Sequence, residues 1–260
     1  YIITNSSKIK INIKEVKKND IFIALKGKKY HGNKFINDAF KAGAKYCITD
    51  KHYSQLNTKK NILHLNNIFS FLKALTIQKR SLFCGEVIAI TGSAGKTSLK
   101  EYLKFFLQKK YKVSASIKSY NNKLGVMISI LNINNNSKFA IFEIGTNNFF
   151  EIRHLTSLVQ PSQIFITNIL STHLENFKKK KNIAKEKSDI FNKKFNPKVK
   201  ILYFQMTSVD EKIINNFVKK QKINKKISIG KNGLDSYVVS LKKNKNNYEV
   251  ILKVLNKFFF

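Results

Sequence analysis

The stretch V-I-A-I-T-G-S-A-G-K-T-S, residues 87–98, decides the fold. Residues 87–91 form an apolar, β-branched run of the kind that makes a buried strand. A turn carrying Gly92 and Gly95 follows, and Lys96-Thr97 then opens a helix. Backbone N–H groups of such a turn, together with a helix N-terminus, present donors and positive dipole to an anion, which suits a triphosphate. In that reading Gly92, Ser93, Ala94, Gly95, Lys96, Thr97 and Ser98 cradle phosphate. Lys96 reaches the outer phosphates, and the Thr97 hydroxyl joins a Mg²⁺ shell. The spacing departs from the common G-x-x-x-x-G-K-[ST], because position 90 is Ile. The competing reading is an ordinary strand–turn–helix connection with Lys96 as a solvated surface lysine.

On the C-terminal side of this stretch the chain alternates strands with helices. Leu99, Leu103, Phe106 and Leu107 fall on one helix face. Residues 139–144 and 163–169 are short apolar runs rich in Ile and Phe, and 201–204 and 250–254 add two more. Strands alternating with helices predict an α/β fold with a doubly wound, mostly parallel sheet. On the N-terminal side, residues 21–25 read as a strand. Phe35, Ala39 and Phe40 then recur at helical spacing up to Gly43, residues 46–49 read as a strand, and 69–78 as a helix. This makes a small α/β domain over 1–83, with the boundary at Cys84-Gly85 and the second domain over 84–260. Lys178 to Lys181 reads as a solvated turn.

Composition bounds the rest. No apolar run approaches the roughly 20 residues that span a bilayer, and two cysteines, Cys47 and Cys84, are too few for a disulfide framework. A cytoplasmic protein is expected. The net charge of +34 raises a nucleic-acid reading. Arg80 and Arg153 are the only arginines, however, and the lysines are spread along the chain together with Asn, Ile and Phe. Composition drift toward A/T-rich codons explains that pattern better than a basic interface does, and no nucleic-acid partner is expected. The chain starts at Tyr1 and stops at Phe258-Phe259-Phe260, which reads as a fragment or a truncated product.

Two further residues fall at strand ends, where ligands collect in open α/β sheets. Glu143 closes the run 139–144, and His173 lies just beyond 163–169. Glu143 suits a hard cation as an oxygen ligand. Taken alone it is equally a strand-end surface charge, and His173 a capping or core histidine.

With these residues in place, the chain resembles the Mur ligases. I-T-G-S-A-G-K-T at 90–97 carries the resemblance, with N-N-K-L-G at 121–125, E-I-G at 143–145, T-N-I-L-S-T-H-L-E at 167–175 and A-K-E-K-S-D-I-F at 184–191. E-I-G and D-I-F-I-A-L-K-G at 20–27 look most like the MurF branch. The similarity runs to about residue 195. It implies an ATP-dependent amide ligase of peptidoglycan synthesis, in which ATP phosphorylates the terminal carboxylate of UDP-N-acetylmuramoyl-tripeptide and the amine of D-Ala-D-Ala displaces phosphate. It further implies that the first domain binds the UDP-linked substrate and the second is the ATPase domain. Lys96 grips phosphate, Thr97 and Glu143 hold one Mg²⁺, and His173 approaches a second. Lys187 corresponds to a lysine that relatives carbamoylate into a metal ligand, with Lys185 as a competing alignment. Asn121, Asn122 and Asn168 line the nucleotide side, although Asn121 and Asn122 also read as turn formers. A monomer is expected.

The sequence departs from the family pattern in several places. Asn5-Ser6-Ser7 lacks the arginine usual near the start, and His31-Gly32-Asn33 stands for Asp-Gly-His. Lys118-Ser119 replaces Gly-Asn, Met127 replaces a proline, and no adenine-seating Asn-x-Asp is visible at 205–210. The glycine usual before Glu151 is Phe150. The family's third domain lies beyond the residues at hand. Three other readings stay open: another Mur-type ligase, a non-catalytic ATP-binding remnant and a basic nucleic-acid-binding protein.

Overall fold

The computed structural model describes residues 7–27, 29–50, 61–117, 120–205, 211–221, 223, 225–230, 235–243, 248–255 and 257–259. The sequence features at Asn5-Ser6, Lys118-Ser119, 206–210 and Phe260 lie outside the described residues. The chain divides into two compact units. One is Tyr1–Gly85 with Met127–Ser137; the other is Glu86–Val126 with Lys138–Phe260.

The first unit holds a parallel sheet in the order β1 (Ile9–Lys10), β2 (Ile21–Ala24), β3 (Tyr46–Thr49), β4 (Ile62–His64). A 3-10 turn at Gly32–Phe35 runs into α1 (Ile36–Lys41), and α2 spans Ile68–Ser81. Phe22, Ala24, Ile36, Ala39 and Cys47 form its core. Helix α1 stops where the sequence places Gly43. The N–H of Gly43 bonds Phe40 O at 3.0 Å and that of Ala44 bonds Ala39 O at 2.8 Å, the paired bonds of a Schellman cap. Asn67 caps α2 by accepting from Ser70 N at 2.9 Å. Met127–Ser137 joins this unit because Asn132 acts like a strand neighbour of β1. Its side chain accepts from Ile9 N at 2.7 Å and donates to Ile9 O at 2.9 Å.

The second unit is built on β5 (Glu86–Thr91), α3 (Lys96–Gln108), β6 (Val113–Ala115), α4 (Lys123–Leu131, whose last residues belong to the first unit), β7 (Phe139–Glu143), α5 (Glu151–Val159) and β8 (Gln163–Ile166). It continues through α6 (Leu174–Phe177), α7 (Lys180–Ser188), β9 (Ile201–Gln205), α8 (Glu211–Lys220), β10 (Lys225–Gly230), β11 (Ser236–Lys243), β12 (Tyr248–Val254) and β13 (Lys257–Phe259). Among the described residues the sheet order is β13-β12-β11-β10-β9-β8-β5-β7-β6. Pairing is parallel from β6 to β11, and antiparallel from β11 to β12 and β12 to β13. The fold is α/β, as the alternation predicts.

Strand β5 lies between β7 and β8, so the chain crosses from one side of β5 to the other after β7. Ile90 is in register with Glu143, and Thr91 with Ile166. The carboxyl ends of the three strands therefore finish level, at a switch point of the kind where α/β sheets bind ligands.

Two expectations change. Leu99, Leu103 and Leu107 pack on Ile88, Ile90 and Ile141, but Phe106 is 62% exposed and lies outside the packed stripe. The i+7 position borders the apolar stripe, and sequence spacing alone does not say on which side it falls. The strand expected over 163–169 ends at Ile166; the Thr167 N–H still bonds Thr91 O at 2.9 Å, but its side chain and the carbonyl of Asn168 turn to the glycine loop.

Candidate functional site

The loop between β5 and α3 is shaped by its glycines. Gly95 has φ 78° and is the N-cap of α3, a left-handed position that side-chain-bearing residues rarely adopt. A Cβ at Gly92 would collide with the Thr167 hydroxyl. The second strand end fastens the loop. Ser93 N donates to Asn168 O at 3.0 Å, Ala94 N to Asn168 Oδ1 at 2.9 Å, and Thr167 Oγ1 to Ala94 O at 2.6 Å. Ser93 Oγ accepts from Leu170 N at 2.9 Å. Asn168, expected on the nucleotide side, thus holds the loop in shape, and it occupies the N–H groups of Ser93 and Ala94. The donors left for an anion are those of the first turn of α3, at Lys96, Thr97 and Ser98, which have no intrahelical acceptor.

Lys96 folds back over the loop, donating to Gly92 O at 2.8 Å and Ser93 O at 3.2 Å. Burial lowers its pKa, partly offset by the charge of Glu143. Lys187, on α7, donates to the same Gly92 carbonyl at 3.1 Å. Burial first, and then the charge of Lys96, bring the Lys187 ammonium down to about 8, while Glu186 pulls it the other way. Lys185 is exposed, so Lys187 is the lysine that faces the loop. Two ammonium groups thus converge on one neutral carbonyl, an arrangement an anion would relieve.

Glu143, 1% exposed, ends β7 beside the loop. Its Oε2 accepts from Thr97 Oγ1 at 2.7 Å and its Oε1 from Asn121 Nδ2 at 2.8 Å. Asn121 in turn lies against Gly145, where an added Cβ would come within 2.9 Å of its amide carbon. A buried carboxylate held only by neutral donors is costly. Among the described residues no cation lies within ion-pair distance of it. The set Glu143 carboxylate and Thr97 hydroxyl fits a hard divalent cation taking oxygen ligands. Among the described residues no three His, Cys, Asp or Glu side chains converge.

The structure brings Lys96, Thr97, Asn121, Glu143 and Lys187 together around this loop. Two expected residues stand apart. Asn122 caps α4, accepting from Gly125 N at 2.9 Å through its side chain, as the turn-forming reading has it. His173 has φ 56° and precedes α6; its ring is 45% exposed, and the partner of its Nδ1 is Glu175 at 3.6 Å. No hydrogen bond among the described residues ties it to Glu143, Thr97 or Lys187.

Sequence reasoning missed Glu186. It is buried and accepts from Phe150 N at 2.8 Å and Ile152 N at 2.9 Å, with Thr146 Oγ1 at 3.4 Å. Burial raises its pKa, while the bonds from Ile152 and Phe150 oppose that rise. The available signal was a glutamate in helical register with Ile183 and Ile190, a charge on an apolar face. Phe150, standing where the family pattern has glycine, adopts φ 72°. Next to it, Glu151 accepts from Asn147 N at 2.7 Å and Asn148 N at 3.2 Å, and Arg153 Nη2 pairs with Asp189 at 3.1 Å.

Comparison with known proteins places this geometry. The Mur ligase middle domain matches residues 90–258. The UDP-N-acetylmuramoyl-tripeptide–D-alanyl-D-alanine ligase of Rickettsia prowazekii is 40% identical over 187 residues, covering 72% of this chain and 41% of that protein. The enzyme of the same name from Borreliella burgdorferi is 33% identical, covering 77% of this chain and 50% of its own length. Among solved structures, the MurF ligase of Thermotoga maritima in complex with ADP superimposes with a TM-score of 0.78 at 26% identity, over 98% of this chain and 57% of that one. The chain spans about half or less of the length of the curated relatives it matches.

Proposed function

The chain belongs to the Mur ligase family, and from that premise we propose that it carries the ATP-using machinery of a UDP-N-acetylmuramoyl-tripeptide–D-alanyl-D-alanine ligase. The observation that carries this reading is the Lys96–Thr97–Glu143–Asn121 cluster at the level ends of β5 and β7. The names of its relatives supply the substrates.

The chemistry needs what these residues offer. A carboxylate is a poor acyl donor. Attack of its oxygen on the outer phosphorus of ATP expels ADP and leaves an acyl phosphate; the amine of D-Ala-D-Ala then attacks the acyl carbon and expels phosphate. Neither step requires a protein nucleophile; both require charge set around a transferring phosphoryl group. The first-turn N–H groups of α3 and the Lys96 ammonium supply positive charge and donors. Thr97 and Glu143 are the residues that would hold Mg²⁺, and the ion supplies further neutralisation of phosphate charge when bound. Asn121 keeps the carboxylate of Glu143 aimed at Thr97. Lys187, with its ammonium brought down to about 8, holds an appreciable neutral fraction near physiological pH. That supports its carbamoylation by CO₂, which would turn a crowding cation into an anionic ligand. His173 would serve a second ion only after the segment ahead of α6 moves. A cytoplasmic site of action suits the nucleotide substrates, and among the described residues no helix is long and apolar enough to cross a membrane.

Phosphate release from ATP tests the reading, measured with and without UDP-tripeptide and D-Ala-D-Ala, for this chain and for a version extended to the length of its relatives. Release that depends on both substrates in the extended version is the expected outcome. Its absence there would refute the ligase reading, and ATP binding without release would favour a non-catalytic remnant.

A further inference from the structure

We infer that Glu186 is a positioning residue, whose carboxylate clamps the start of α5 and the segment behind Glu143 onto α7 and so holds Lys187 against the glycine loop. Both carboxylate oxygens are committed. Oε2 takes the N–H of Phe150 at 2.8 Å and Oε1 the N–H of Ile152 at 2.9 Å; the Thr146 hydroxyl, which donates to Asn148 O at 2.7 Å, lies 3.4 Å from Oε1. The residue is 3% exposed, so these bonds are made away from water and are expensive to lose.

The connections run both ways from this clamp. Thr146 lies three residues beyond Glu143 on the same strand exit, and Lys187 is the next residue along α7. Shaping the turn before α5 does not require Glu186, because Glu151 caps it locally through the N–H groups of Asn147 and Asn148. A local cap cannot tie the turn to α7; Glu186, 34 residues from Ile152 in the chain, does. The clamp also takes the N–H of Phe150, which sits at φ 72°. Arg153 and Asp189 add a second link between the same segments, partly open to solvent at the arginine.

The test reads Lys187 itself and needs neither ATP nor a peptide substrate, so its outcome is separate from that of the ligase reaction. The protein, Glu186→Ala, Glu186→Gln and a control, Val159→Ala in the core of α5, are pulsed with acetic anhydride. Peptide mass mapping gives the labelling of Lys187 relative to exposed Lys185. Glu186→Ala should raise that ratio about tenfold, the exposure expected when charge-assisted bonds no longer hold α7. Val159→Ala should leave it unchanged, although it lowers the melting temperature. Glu186→Gln, which keeps one acceptor oxygen, should fall between wild type and Glu186→Ala. An unchanged ratio in Glu186→Ala, or an equal rise in Val159→Ala, would overturn the inference. Should Glu186→Ala fail to fold, Glu186→Gln is read alone, and a ratio equal to wild type overturns it.

Discussion

Thr97 and Glu143 lie 46 residues apart in sequence and 2.7 Å apart in space, and each has a separable part in the account. Lys96→Ala removes the cation the loop itself carries, and ATP turnover should fall at least about a hundredfold; steady-state phosphate release checks this. Lys187 makes a prediction about stability. Its pKa is about 8 in the folded protein against the ordinary lysine value of 10.5. Below about 8 it is charged in both states, and the native state bears the full cost of burying it. Between about 8 and 10.5 the unfolded chain holds more protons, so stability rises with pH; above both values the cost is gone. Lys187→Met should therefore stabilise the protein at pH 7, by on the order of 1–3 kcal/mol, and lose that advantage by about pH 10.5. Urea unfolding at both pH values decides, and an equal difference at the two would contradict the burial argument. Lys96 and Thr97 are legible in the sequence because the chemistry requires them at a fixed spacing after glycine. Glu186 is less so, because its one signal, a charge in register with Ile183 and Ile190, does not say which groups it bonds.

The helix and the loop that carry the site can be tested in the same way. Leu103 lies on the face of α3 that packs against Ile88, Ile90 and Ile141, whereas Phe106 points to solvent. Leu103→Ala should cost about 2 kcal/mol, and Phe106→Ser under about 0.5 kcal/mol; chemical denaturation of the two variants measures the difference. Gly92→Ala would drive a Cβ into Thr167 at φ 146°. It should weaken nucleotide binding and destabilise the protein by about 1–3 kcal/mol, with calorimetry and thermal melting as the readouts. Strand and helix identities were legible because periodicity and glycine punctuation agree in this chain. The end of β8 was not, because Thr167 and Asn168 continue the β-compatible pattern yet turn their side chains to the loop. The resemblance implies Asn168 on the nucleotide side; the structure adds that its carbonyl and side chain hold the loop, which only packing shows.

Across the whole chain, two units fold around separate sheets, and the segment Met127–Ser137 belongs to the first although it follows the glycine loop in sequence. That exchange was not visible in composition, since it depends on one side chain, Asn132, bonding both backbone groups of Ile9. The charge of +34 also gains a local meaning. Among many lysines, Lys96 and Lys187 are set apart because both donate to the one carbonyl of Gly92, and a surface excess does not explain that. Together with Glu143, this loop is expected to bind a magnesium-bound triphosphate. Titration calorimetry of ATP into the protein, with and without Mg²⁺, tests it directly. The account predicts one-to-one binding that Mg²⁺ strengthens, lost in Lys96→Ala and retained in Glu143→Ala without the Mg²⁺ effect. Binding unchanged in Lys96→Ala, or an undiminished Mg²⁺ effect in Glu143→Ala, would contradict it.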